Sequence, residues 1–136
     1  MRNWIVTPGS LNTDIAALLL RLLFGGLFVY YGYNKLMAYD AILPHFGDII
    51  GIGSKLSFNL VIFAEFFCGL FVLLGFLTRL SVVPIFITMV VAYFIAHSID
   101  PFDKKALAFV FMGLSIVVFI LGSGRYSVDR LIFRNR

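Results

Sequence analysis

The apolar residues of this chain come in four long unbroken runs rather than in the narrow stripes of a water-soluble bundle. They lie near Ile15 to Met37, Phe58 to Leu77, Leu80 to Ala96 and Ala106 to Gly122. A hydrocarbon layer about 30 Å thick is crossed by about 20 apolar residues in helical form, because a helix bonds every backbone amide within its own segment. The pattern therefore predicts an all-α integral membrane four-helix bundle with four transmembrane helices. The runs occupy most of 1–136, so a single transmembrane domain is expected, without a separate soluble one. The first run is long, contains Arg21 and ends in the bulky YYGYNKLM, so it reads as a retained span rather than a cleaved signal peptide.

The polar intervals set the connections. Met1 to Thr13 is a short lead with Pro8, Gly9 and Ser10, and Thr13 or Asp14 is placed to cap the first helix. After Met37 the interval AYDAILPHFGDIIGIGSKLS exceeds the usual helix-helix connection. Its mixture of apolar residues with Pro44, Gly47, Gly51 and Gly53 suits either a plain loop or a short interfacial helix lying over the bundle. The second and third runs are joined almost directly through Leu77, Thr78 and Arg79, which makes them antiparallel neighbours. Pro84 falls one turn into the third run, where a missing amide costs little.

Composition agrees: 61% hydrophobic and 13% charged residues stand against roughly 45–50% and 25% in soluble domains. The net charge of +4 does not point to nucleic acid, because the basic residues sit in loops and in the tail beside apolar runs. Sorted by side, Arg2, Arg79, Arg125, Arg130, Arg134 and Arg136 fall together, whereas Lys35, Lys55, Lys104 and Lys105 are offset by Asp40, Asp48, Asp100 and Asp103. Positive residues favour the cytoplasmic face, so both termini are expected to be cytoplasmic. The tail RYSVDRLIFRNR then reads as an anchor on anionic lipid or a partner-docking segment. The lone Cys68 excludes an intrachain disulfide and a two-cysteine relay, so any redox chemistry must come from a bound cofactor or a partner.

Charge inside the apolar runs marks the candidate site, since ions in hydrocarbon normally face a bundle interior. Arg21, Gly25, Phe28, Gly32 and Lys35 share one helical stripe, and Glu65, Gly69, Val72 and Phe76 share another. The helix-packing glycines Gly25, Gly32 and Gly69 predict that these two faces meet closely. At about 1.5 Å per residue, Lys35 lies roughly 3 Å and Glu65 roughly 10 Å from the outer ends of their spans. Helical side chains lean toward their own N-terminus, so Lys35 leans inward, Glu65 leans outward, and the two converge. Arg21 leans toward the cytosol and is the second choice as partner for Glu65. Tyr93 and His97, one turn apart, complete a candidate buried polar site of Arg21, Lys35, Glu65, Tyr93 and His97, with His45 a further lining residue. A histidine there could pass protons, or simply bond water or Asp100. His45, His97 and Asp100 match no metal-ligand spacing, so no metal is expected.

The runs RLLFGGLFVYYGYNKL, EFFCGLFVLLGFLTRL and GSGRYSVDRL together resemble the DoxX family of small four-helix bacterial membrane proteins. The likeness covers nearly the whole chain and implies a multi-pass protein of the bacterial inner membrane. The family's charged and glycine landmarks fall on Arg21, Gly32, Lys35, Glu65, Gly69, Arg79, Arg125 and Asp129, with no catalytic role attached. Some relatives imply redox work: the similar DoxD subunit belongs to a thiosulfate:quinone oxidoreductase. The resulting expectation is the membrane subunit of a redox system handling a quinone or small substrate, with an oxidoreductase partner, the lipid bilayer and homo-oligomeric copies as contacts. The alternative is a non-enzymatic scaffold or small transporter whose ion pair fixes helix register, so the chain is an enzyme on one reading only.

Overall fold

The computed structural model describes residues 12–48 and 50–133. Pro8, Gly9, Ser10 and the charges Arg2, Arg134 and Arg136 lie outside the described residues. In order come α1 (Thr13–Met37), α2 (Tyr39–Ile42), a 3-10 turn (Leu43–His45), α3 (Ser54–Leu74), α4 (Thr78–Ala96), α5 (Phe102–Leu121) and α6 (Val128–Phe133). Among the described residues there is no strand, and α1, α3, α4 and α5 are each long and apolar enough to cross a membrane.

Local chemistry explains where the helices start and stop. The cap of α1 is Asn12, not Thr13 or Asp14: its Oδ1 accepts from the amides of Asp14 at 3.0 Å and Ile15 at 3.1 Å. Asp14 is thereby left to accept from the Arg125 amide at 3.1 Å. The long interval after Met37 is not a plain loop, since α2 and the 3-10 turn fold over the bundle, and Tyr39 and Phe46 stack on Phe58 at 5.1 and 4.9 Å. Asp48 Oδ1 then accepts from the amides of Gly51 at 3.0 Å and Gly53 at 2.9 Å, a turn that launches α3 at Ser54, ahead of the expected Phe58. At its far end α3 stops at Leu74, because Gly75 adopts a left-handed φ of 77°. The Gly75 amide bonds the Val72 carbonyl at 3.1 Å and the Phe76 amide bonds the Phe71 carbonyl at 2.8 Å, the paired closure of a Schellman end. Phe76 is therefore in the link, not in the span.

Because α4 starts at Thr78, Pro84 lies at the end of its second turn. It is a helix-interior proline rather than a tolerated first-turn one, and its ring withholds an amide from the Leu80 carbonyl.

Packing follows the small residues. A Cβ at Gly32 would stand 2.5 Å from the Phe66 amide nitrogen, and one at Gly25 would stand 2.7 Å from that of Leu73. Only glycine allows α1 to lie so near α3, which confirms the expected meeting of the two stripes. The core between the helices is aromatic and aliphatic: Phe24, Phe28 and Phe111 stack around Cys68, Val72, Ile85 and Val118. Leu23, Ile87, Phe94 and Ile120 stay exposed on the outside, where a bilayer supplies the apolar contact that the chain does not.

The alternating helices give the bundle two distinct ends. The N-terminus of α1, the α3–α4 link, the C-terminus of α5 and α6 share the terminal end. The interval carrying α2 and the α4–α5 turn form the loop end.

Candidate functional site

The loop end holds the ion pair. Lys35, in the last turn of α1, places Nζ 2.5 Å from Glu65 Oε2. The pair is lopsided: the Glu65 side chain is 8% exposed and that of Lys35 29%. This is the pairing expected from depth and side-chain lean.

Glu65 does not sit in ordinary α-helix. Residues Phe63–Cys68 form a π-helical stretch within α3, and Ala92–Ala96 form another at the end of α4. Such wide turns are rare, and they recur at functional sites because they realign side chains that a regular helix would bury differently.

Two cavities meet at this pair. One, about 340 Å³, lies between α3 and α4, with Ser57, Leu60, Val61, Ile87 and Val91 along its walls and Phe46 and Ile50 at its rim. The other, about 220 Å³, lies toward α1 and α5, with Tyr31, Lys104, Lys105 and Phe111 on its walls. Lys35, Glu65, Met89, Ala92 and His97 belong to both. His97 ends α4, with its amide bonded to the Ala92 carbonyl at 3.0 Å and its Nδ1 2.8 Å from Asp100 Oδ2. The histidine therefore bonds Asp100 and also lines the cavities.

Three expected members are elsewhere. Tyr93 lines neither cavity: its ring packs on Phe94 at 4.8 Å and Phe109 at 5.9 Å, with Lys105 Nζ 4.5 Å from its centroid. One residue of offset in the π-helical stretch is enough to turn it to the α5 side. His45 is exposed at the end of the 3-10 turn and lines neither cavity. Arg21 is at the opposite end of the bundle, and it does not snorkel to solvent.

At 1% exposure Arg21 is held by backbone oxygens: its guanidinium donates to the carbonyls of Leu73 at 3.1 Å, Val72 at 3.5 Å and Tyr126. The Val72 carbonyl already accepts from the Gly75 amide, but that of Leu73 is left without a helical partner at the end of α3, and the arginine supplies the missing donor. Arg79 does the same for α5, donating to Phe119 at 2.8 Å and Ile120 at 3.2 Å. Asp129 completes the arrangement by accepting from the Leu77 amide at 2.9 Å and from Ser123 Oγ at 2.5 Å, while its own amide bonds Gly75 O at 3.0 Å. Arg21, Arg79 and Asp129 thus form a knot that ties the tail to the α3–α4 link.

Sequence reasoning missed Ser57. It is 5% exposed, lines the larger of the two cavities, and its hydroxyl has no hydrogen-bond partner among the described residues. Leaving a buried hydroxyl in that state costs about 1–3 kcal/mol. Its signal was a lone serine at the head of the FNLVIF run, hidden by placing the start of the span after it.

Fold and site together define a four-span protein of the bacterial inner membrane. The chain belongs to the DoxX family, whose signature matches residues 16–98. It is similar to the inner membrane protein YqjF of Escherichia coli, 31% identical over 88% of this chain and 93% of that protein. It is also similar to the uncharacterized membrane protein Rv3486 of Mycobacterium tuberculosis, 34% identical over 82% of this chain and 77% of that protein. No solved structure gives a significant match.

Proposed function

We propose that this chain is the membrane subunit of a redox system and receives a quinone headgroup, or a small substrate of similar chemistry, at Lys35 and Glu65. The observation that carries the reading is an ion pair shared by two cavities, with its glutamate inside one π-helical stretch and the other stretch, through Ala92, on the walls of both cavities. The residues fit such a ligand: Lys35 is a donor for a ring oxygen, Glu65 an acceptor for a hydroxyl, and Leu60, Ile87 and Val91 are apolar walls for ring and tail. A bound quinone supplies the two-electron, two-proton couple that a chain with one buried cysteine lacks. Lys35 orients the oxygen, Glu65 holds or releases a proton beside it, and the apolar walls keep bulk water out. His97, fixed by Asp100 at the rim, links Glu65 to the outside for proton exchange. A partner oxidoreductase supplies the electrons.

The same reading places both termini in the cytoplasm and the loop end on the outer side. Among the described residues, Arg79, Arg125 and Arg130 lie at the terminal end without a local excess of carboxylates, which follows the positive-inside preference. Cysteines introduced at position 52 and at position 131 of a Cys68→Ser background test this. Only the first should react with an impermeant maleimide on intact spheroplasts, and the reverse labelling would invert the assignment.

The functional test is direct. The protein purified in mild detergent should carry endogenous quinone, and Glu65→Gln and Lys35→Met should lose it while staying monodisperse. A wild-type preparation with no quinone that also fails to bind added decylubiquinone would sink the reading.

A further inference from the structure

Of the two cavities that meet at the ion pair, the one between α3 and α4 contains a feature that the pair does not explain. Ser57 is buried on its wall and its hydroxyl has no partner among the described residues, in a cavity it shares with apolar Leu60, Val61, Ile87 and Val91, while the hydroxyl of Thr88 there is already bonded to the Pro84 carbonyl. The oxygen itself is fully covered, so an acceptor brought in from outside the chain reaches it only with rotation about the serine χ1. The spacing is informative as well. Ser57 is eight residues ahead of Glu65, about 12 Å along the helix axis. Glu65 leans toward its own N-terminus and so toward Ser57, which makes the gap between the two polar groups shorter than that rise and within the reach of one small polar head. The walls between the two polar points, Leu60, Ile87 and Val91, come from two neighbouring spans, and Leu60 and Ile87 are themselves exposed on the outside of the bundle, so the cleft has a side toward the hydrocarbon as well as the rim of Phe46 and Ile50 at the loop end.

We propose that Ser57 is a ligand-binding residue and that the α3–α4 cleft is a lateral site for a membrane-dissolved amphiphile. The ligand's head bridges the Ser57 hydroxyl and the Lys35–Glu65 pair, and its apolar tail leaves between the two spans into the bilayer. This rests on the reading of Lys35 and Glu65 given above and adds the route: the ligand arrives sideways from the lipid phase, not past Lys104 and Lys105 through the second cavity.

The experiment measures equilibrium binding of decylubiquinone to the full chain in phosphatidylglycerol and phosphatidylcholine nanodiscs, with size-exclusion homogeneity as the check on folding. Ser57→Ala should weaken binding about 3- to 10-fold, the loss of one hydrogen bond, and Ser57→Thr should restore most of it. Val91→Trp, which fills the cleft, should lower binding by at least 10-fold. The double substitution Lys104→Gln with Lys105→Gln should leave it within 2-fold of wild type. Should Ser57→Ala and Val91→Trp bind as wild type while the lysine double variant loses affinity, the lateral site is overturned and the Lys35–Glu65 reading survives with a water-facing route. If Val91→Trp does not fold, the Ser57→Ala and Ser57→Thr pair decides, and equal affinity of both with wild type overturns the proposal. No binding by wild type removes the site reading and this inference together.

Discussion

At the terminal end, the guanidinium nitrogens of Arg21 and Arg79 and one carboxylate oxygen of Asp129 bond backbone groups at helix ends and the α3–α4 link, while the other Asp129 oxygen takes the Ser123 hydroxyl. At the loop end, Lys35 and Glu65 bond each other beside two cavities, and the Ser57 hydroxyl on the wall of one of them has no partner among the described residues. Both ends bury charge in an apolar protein, yet only the first uses it to close the fold. Buried ions that satisfy main-chain atoms hold elements together, whereas buried ions that satisfy only one another, beside open volume, are available to something else. The contrast also divides the charged positions that the resemblance marks, with Arg21, Arg79 and Asp129 in the knot and Lys35 and Glu65 at the site.

The sharpest way to break this division is to remove the arginine of the knot. Arg21→Met strands the carbonyls of Leu73 and Tyr126 and takes a second donor from Val72, and should destabilise the protein by about 3–5 kcal/mol, seen as loss of monodisperse material after heating in detergent. An Arg21→Met protein as stable as wild type would mean that the knot is dispensable.

A somewhat smaller effect separates the two members of the site. Lys35→Leu leaves the carboxylate of Glu65 buried without its cation, whereas Glu65→Leu leaves a lysine that can swing to the surface. The first should cost about 3 kcal/mol and the second about 1 kcal/mol, and the double leucine variant should recover to within about 1 kcal/mol of wild type. Recovery of stability without quinone binding places the pair in function. Recovery of both would favour the scaffold reading.

Close packing gives the next increment. Gly32→Ala forces a Cβ into the Phe66 backbone and should lower stability by about 1–3 kcal/mol, while Gly26→Ala, with open space around it, should be neutral or slightly stabilising. The smallest change is expected at His97→Gln, within about 0.5 kcal/mol of wild type in thermal stability, because the ring is half exposed. If His97 only decorates the rim, quinone-linked proton exchange should be equally unaffected.

Much of the architecture was legible because lipid imposes a coarse rule. Four apolar runs had to become four helices, and the two small-residue stripes had to meet, since nothing larger than glycine fits at Gly25 and Gly32. The Lys35–Glu65 contact was legible for a similar reason: rise per residue and side-chain lean bring those two atoms to one level. The knot was not, because it depends on where the tail returns in space, and no periodicity in GSGRYSVDRL encodes which carbonyls Arg21 will meet. Tyr93 was misplaced because a π-helical stretch shifts the register that a 3.6-residue count assumes. Ser57 stayed hidden because the Asp48 turn starts α3 earlier than the hydropathy does.

The placement of Asp129 has a consequence for biogenesis. It follows all four spans in the chain, yet the amide it caps belongs to Leu77, in the bend between the second and third. Until translation passes that aspartate, the newly inserted hairpin carries a left-handed leucine with nothing to hold it. Nascent chains arrested before position 129 should therefore be sensitive to membrane proteases, and release from that sensitivity should coincide with emergence of the tail from the ribosome.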